Sequence, residues 1–235
     1  MISGLNIKEL AMKNFTVAVL IGLFLLCGAF AIQAVPALGQ MDRMEAATRV
    51  FNAALGGIPA PVLKGAQGIA IIPGEVKAGF IFGGELGQGV LVARDSKRSW
   101  SPPAFISIAG ASLGLQIGGE ARDIVLVFNT PMSVAAIENG TLNLGGDVSV
   151  VAGPAGGDVA VGAPIPAVYS YVRSYGAFIG ATVQGVALSL DVGANRDYYG
   201  VSDPLRMATR AIPEQARRFT CSLSRATGSR SKFCS

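Results

Sequence analysis

Between Gly68 and Phe128 short β-branched and aromatic runs alternate with glycine and proline. They read G-I-A-I-I-P, K-A-G-F-I-F-G-G-E-L-G-Q-G-V-L-V-A-R, W-S-P-P-A-F-I-S-I-A-G-A-S-L-G-L-Q-I-G-G-E and R-D-I-V-L-V-F-N, the pattern of consecutive strands and turns. Strands are predicted near Gly68–Ile72, Ala78–Gly83 and Gly89–Arg94, with Gly83–Gly89 as a tight hairpin and Arg94–Ser99 as a polar, basic loop. From Phe105 to Gly118 the side chains alternate. Phe105, Ala109, Ala111, Leu113, Leu115 and Ile117 share one face; Gly110, Ser112, Gly114, Gln116 and Gly118 share the other. Fully extended, that run would span roughly 45 Å at about 3.3 Å per residue, so one long strand is expected to bend sharply at its glycines. Asp123–Phe128 is almost wholly apolar, as a strand buried on both faces would be.

The period changes on either side. Met41, Met44, Ala47, Phe51, Ala54 and Leu55 form a helical stripe that predicts a helix over Asp42–Leu55, stopped by Gly56-Gly57. Thr130-Pro131 and Asn139-Gly140 are a start and a stop for a second helix. Thr141–Val151 and Phe178–Asp191 read as strand regions with Val168–Tyr171 between them, and Pro204–Ile212 and Pro213–Leu223 as short helices. The fold class is therefore α+β: a strongly curved, mainly antiparallel sheet of six to nine strands, barrel- or sandwich-like, with flanking helices.

Composition sharpens this. Glycine numbers 31, and 25 of those fall between Gly56 and Gly193 without a collagen-like period, which marks bent strands rather than a fibrous or disordered chain. Charge is unevenly spread. Residues 35–203 hold ten Lys/Arg against thirteen Asp/Glu, and residues 204–235 hold seven against one, a mildly acidic body and a basic tail that suits an anionic surface or an acidic patch. Histidine is absent, which removes the commonest general base and metal ligand.

Lys8 and Lys13 precede an apolar run from Phe15 to Ile32, the layout of a secretory signal peptide with cleavage after Ala31 or Ala34. A lipid anchor at Cys27 and a retained membrane segment are the alternatives. The expected division is 1–34 signal peptide, 35–203 one domain and 204–235 a basic tail, in an exported protein of the periplasm or envelope. In an oxidising compartment Cys221 and Cys234 are predicted to pair, closing a loop worth about 3 kcal/mol on the chain-entropy model.

Catalytic constellations are thin. Gly83–Gly89 lacks the strand-then-helix setting of a nucleotide loop. Gly-Gly-acid occurs before Glu85, Glu120, Asp147 and Asp158 at irregular intervals, and no Gly-x-Ser-x-Gly elbow is present. No enzyme activity, no cofactor, no metal and no nucleic-acid partner are expected. Trp100 reads as a core anchor at a strand entry.

The blocks A-x-G-I-A-I-I-P, A-G-F-x-F-G-G-E-x-G-x-G-V-L-V-A-R, W-S-x-P-A-F-I-S-I, G-L-Q-I-G, D-x-V-L-V-F-N, L-G-G-D-V-S-V-x-A-G-P and Y-S-Y-V-R-S-Y-G-A-F-I-G, followed by Y-Y-G, together resemble the SYLF domain, also called the Ysc84 actin-binding domain, in a bacterial secreted form. The resemblance covers about Ala66 to Gly200 and implies binding of phosphoinositides and other anionic phospholipids, with Met41–Leu55 in the place of the family's amphipathic helix. Trp100, Ser101, Pro103 and Gln116 are its motif positions. Some members bind actin filaments; for an exported chain actin is not expected, and lipid alone is carried over. The expected contacts are Lys64, Lys77, Arg94, Lys97 and Arg98 near loops, aided by Arg217 and Arg218, at about 1 kcal/mol per basic residue near an anionic surface. The alternatives are a structural or adhesive envelope protein whose tail binds a protein partner, and an integral outer-membrane barrel.

Overall fold

The computed structural model describes residues 39–79, 82–113, 118–154, 165–207, 211–229 and 231–234. The signal-peptide expectation and Gln116 lie outside them. Two helices, α1 (Gln40–Ala54) and α2 (Ala60–Gly65), lead into β1 (Gly68–Gly79), β2 (Phe82–Ala93), β3 (Ala104–Leu113) and β4 (Gly118–Phe128). Then come α3 (Pro131–Glu138), β5 (Thr141–Leu144), β6 (Val150–Ala152), β7 (Val168–Arg173), β8 (Ile179–Gly180), β9 (Val186–Leu190), α4 (Val192–Tyr199), a 3-10 turn at Pro204–Arg206 and α5 (Glu214–Thr227).

All nine strands join one sheet in the order β5-β9-β3-β2-β1-β4-β7-β6, with β8 on β7. Every pairing is antiparallel except β6 with β7. The sheet is strongly curved and nearly closed. The reason lies in which side chains each face buries. Ile69, Ile71, Val90, Val92, Phe105, Val125 and Val127 point to one core, where Phe51 of α1, Leu63 of α2 and Phe219 and Leu223 of α5 cover them. Ala70, Ile72, Leu91, Ile106, Ile124, Leu126 and Phe128 point to a second core with Ile137 of α3. Leu144 and Leu188 from one margin of the sheet and Val150 and Val168 from the other enter that same second core. Two margins that share one apolar interior must curl toward each other.

The expected burial of Asp123–Phe128 on both faces holds for Ile124–Phe128. So does the second helix: Thr130 accepts from the Ser133 N–H at 3.4 Å and Pro131 opens the first turn. Other expectations change. The separate strand at Ala78–Gly83 is the meeting of β1 and β2, whose last described pair is Gly79 with Gly83. Gly83–Gly89 is no tight hairpin but the interior of β2. Two of its glycines serve close approach: a Cβ on Gly87 would lie 2.7 Å from the Ile72 side chain, and one on Gly89 would collide with the Ile71 carbonyl oxygen. That crowding sits beside a register shift in β1, where Gly74 adopts φ +58 and donates its N–H to Asp123 at 3.0 Å.

The long bent strand from Phe105 to Gly118 is two strands. β3 ends at Leu113 beside Phe82, and β4 begins at Gly118 beside Gly79, on the opposite side of the β1–β2 pair. Thr141–Val151 likewise divides into β5 and β6, with Gly145 at φ +86 between them. Pro204–Ile212 yields only the 3-10 turn among its described residues. Helix α4 was not anticipated, although Asp191 caps it through the Ala194 N–H at 3.0 Å and Gly200 ends it at φ +76.

Candidate functional site

Trp100 begins the site. It is completely buried, and its indole N–H donates to the Thr227 hydroxyl of α5 at 2.9 Å. A fixed indole makes a platform, and the Arg94 guanidinium stacks on it at 4.5 Å from the ring centre. Ser101, next in the chain, accepts the Ala93 N–H at 3.0 Å and donates to the Pro102 carbonyl at 2.8 Å. Pro103 offers its carbonyl to the Tyr199 hydroxyl at 2.6 Å. The motif positions Trp100, Ser101 and Pro103 are therefore structural: they seat the β2–β3 hairpin.

The hairpin loop is held by its own backbone. The Asp95 N–H donates to Ser99 O at 2.9 Å, and the Arg98 N–H to Asp95 O at 2.9 Å. One carboxylate oxygen of Asp95 accepts the N–H groups of Lys97 at 2.9 Å and Ser99 at 2.8 Å. Such a loop closes with one residue in the left-handed region, normally glycine or asparagine. Here it is Arg98, at φ 58 the one non-glycine residue with positive φ among those described.

Arg94 and Arg98 both donate to the Lys64 carbonyl at the end of α2, at 3.2 and 3.4 Å. Lys64, Lys97 and Arg98 are exposed, and Arg94 is half-buried. Burial, and then the nearby Arg98 charge, lowers the Arg94 pKa from its ordinary value. Among the described residues none of these four bases forms an ion pair. Lys232 closes one side, its N–H donating to the Ser99 hydroxyl at 3.3 Å and its ammonium to Met207 O at 2.9 Å. Nothing at the hairpin pairs a nucleophile with a base. The arrangement presents positive charge and little else.

The remaining expected contacts stand elsewhere. The Lys77 backbone pairs with Glu85 and Glu120 in the far half of β1, roughly 30 Å along the strand from the hairpin at about 3.3 Å per residue; its side chain is outside the described set. Arg217 and Arg218 lie on α5, both bonded to Glu214: Arg217 through two contacts of 2.8 Å, Arg218 through one of 2.8 Å. Those bonds hold the Glu214 carboxyl down at about 2 and raise the Arg217 pKa. Cys221 and Cys234 are bonded, Sγ to Sγ at 2.11 Å. With Arg217 and Arg218 they line a cleft of about 710 Å³ whose other groups include Ser224, Arg225, Ser229 and Ser231. The sequence reading missed Arg225 and these serines. The signal was present, since Glu214, Arg218, Cys221 and Arg225 recur at four, three and four positions on one helical face.

A third charged group is sealed rather than presented. Arg122 of β4 meets Glu75 at 2.6 Å and Glu85 at 3.0 Å, with both carboxylates buried. Glu85, one of the Gly-Gly-acid positions, is thus committed to an ion network inside the sheet. No group of metal-ligating side chains occurs among the described residues, and no described helix is long and apolar enough to cross a membrane.

The family described as "Ysc84: Las17-binding protein actin regulator" matches residues 109–226, half of the chain. Protein YSC84 of Saccharomyces cerevisiae is 44% identical over 149 residues, covering 61% of this chain and 32% of that protein. LAS seventeen-binding protein 3 of the same yeast gives the same figures. Human SH3 domain-containing YSC84-like protein 1 is 39% identical over 147 residues, covering 60% of this chain and 42% of the human one. The chain spans about a third of the length of the yeast relatives and about two-fifths of the human one. The chain belongs to the Ysc84 family. That description overturns the expectation that actin is not a partner. The expectation rested on an inferred export, whereas the family's own description names actin regulation.

Proposed function

We propose that this chain is a non-enzymatic binding module whose basic hairpin end engages anionic phospholipid headgroups on an envelope membrane. The observation that carries the reading is the convergence of Arg94 and Arg98 on one carbonyl over a buried tryptophan, beside Lys64 and Lys97, with no carboxylate ion-paired to any of them among the described residues. Four such bases amount to about 4 kcal/mol of attraction at an anionic surface at about 1 kcal/mol each, less at high salt. The Cys221–Cys234 bridge suits an exported protein in an oxidising compartment.

Flotation with the full chain tests it. Vesicles rich in phosphatidylserine are expected to carry the protein at low salt, with release at high salt and in the double variant Lys97→Glu/Arg98→Glu. The apolar stretch before Gln40 is common to both proteins, so their difference isolates the hairpin. Equal recovery of wild type and variant on acidic and neutral vesicles would remove the proposal.

A second reading follows from the family's description as an actin regulator: the same basic end docks on actin filaments. Co-sedimentation with filaments in the absence of lipid separates the two. Loss of filament pelleting in the same double variant, without vesicle binding by the wild type, favours actin.

A further inference from the structure

We propose that the cleft between α5 and the loop that follows it is a second, separate site that takes a tetrahedral oxyanion, with phosphate as the fitting chemistry. Its lining is built for an anion. Arg217, Arg218 and Arg225 bring three guanidinium groups to one 710 Å³ space, and Ser224, Ser229 and Ser231 bring hydroxyls. Guanidinium forks with hydroxyl donors are the usual partners of phosphate oxygens.

Two observations separate this cleft from an ordinary charged helix face. The first is Ser224, only 5% exposed, whose hydroxyl is buried in the cleft wall with no hydrogen-bond partner. Buried hydroxyls are normally satisfied, and a ligand oxygen would satisfy this one. The second is Glu214, whose carboxylate already occupies Arg217 through two bonds and Arg218 through a third. A resident oxyanion demonstrates the geometry while leaving Arg225 exposed and, among the described residues, without an ion pair. Glu214 thus acts as an internal competitor that an incoming dianion must outbid for Arg217 and Arg218. The Cys221–Cys234 bridge pins the loop against the helix and forms one wall, which ties the site to the redox state of the chain.

Calorimetric titration of inorganic phosphate into the oxidised full chain is the test. One saturable event is expected. Arg225→Gln should weaken it about tenfold, the usual size for losing one charge-assisted contact. Ser224→Ala should weaken it several-fold with an unchanged circular dichroism spectrum, while Glu214→Gln should tighten it by freeing Arg217 and Arg218. A purely structural α5 would not produce that tightening. Absence of saturable binding overturns the site, as does an isotherm unchanged in both Arg225→Gln and Ser224→Ala, or one weakened in Glu214→Gln. An affinity that survives reduction of the bridge overturns its role as a wall.

A free phosphate and a lipid phosphomonoester share this chemistry. Phosphatidylcholine vesicles doped with phosphatidic acid distinguish them when the chain carries Lys97→Glu/Arg98→Glu: vesicle binding that inorganic phosphate releases and Arg225→Gln abolishes assigns the headgroup, and no such binding assigns the free ion. Lys97→Glu/Arg98→Glu is expected to leave the phosphate isotherm unchanged, so the hairpin and the cleft stand or fall separately.

Discussion

The β2–β3 hairpin and helix α5 are both basic, yet they use charge in opposite ways. At the hairpin the nearest acid, Asp95, spends its carboxylate on the N–H groups of Lys97 and Ser99, so the surrounding bases keep their charge for a partner. On α5 one carboxylate, Glu214, neutralises two arginines at once. Counting Lys and Arg along the chain weighs the two regions alike. Geometry does not. The hairpin's bases are also wired into the core through Trp100, whereas those of α5 sit on the exposed face of a helix whose other face holds Phe219 and Leu223.

Trp100→Ala is the strongest way to break this contrast. It removes a fully buried side chain and its bond to Thr227, and is expected to cost about 3–5 kcal/mol, read by chemical denaturation. Arg217→Ala should stay within about 0.5 kcal/mol of wild type. Equal losses in the two variants would mean that the two regions are anchored alike.

A smaller effect of opposite sign is expected at Arg98. Its left-handed backbone costs about 1–2 kcal/mol relative to a residue that prefers that region, so Arg98→Gly should stabilise the fold by about 1 kcal/mol while weakening binding to acidic vesicles. Stability traded for a charge at one position is the signature of a residue kept for its surface role. A variant that is less stable, or that binds equally well, would remove that interpretation.

The smallest effect is a titration on α5. Glu214 has its folded pKa pushed down to about 2 from an ordinary 4.5. The sign follows from that depression: its contribution is fully present above the unfolded value and fades as pH falls from about 4.5 toward about 2. Following the Glu214 carboxyl by NMR checks this. Because the carboxylate is exposed, the associated change in stability should be slight, and a midpoint at the ordinary value would show that the pair with Arg217 and Arg218 does not persist in solution.

Much of the fold was legible where one residue type dictates one local outcome. Thr130-Pro131 starts a helix, Asn139-Gly140 ends it, and Ile124–Phe128 could only be buried twice. Legibility failed where long-range approach decides. Gly83–Gly89 resembles a turn in any local window, and only the nearness of Ile71, Ile72 and Glu75 on β1 explains why Gly87 and Gly89 stand in a strand there. The apparent alternation from Phe105 to Gly118 conceals a change of partner from β2 to β1, because period-2 patterning carries no record of where a strand ends. For the site, the type and count of basic residues could be read off, and the expected helix over Pro213–Leu223 already puts Glu214 within reach of Arg217 and Arg218, but the remoteness of Lys77 needed the sheet.

Asn52 of α1 and Ser222 of α5 touch at 3.2 Å although 170 positions separate them, and the rings of Phe51 and Phe219 meet edge to face at 6.1 Å. One of the two cores therefore closes only when the two outermost described helices come together. A chain emerging from the ribosome would hold α1 against the sheet alone until α5 arrives, so this core is completed only after every intervening strand has been made and stays pliable until then.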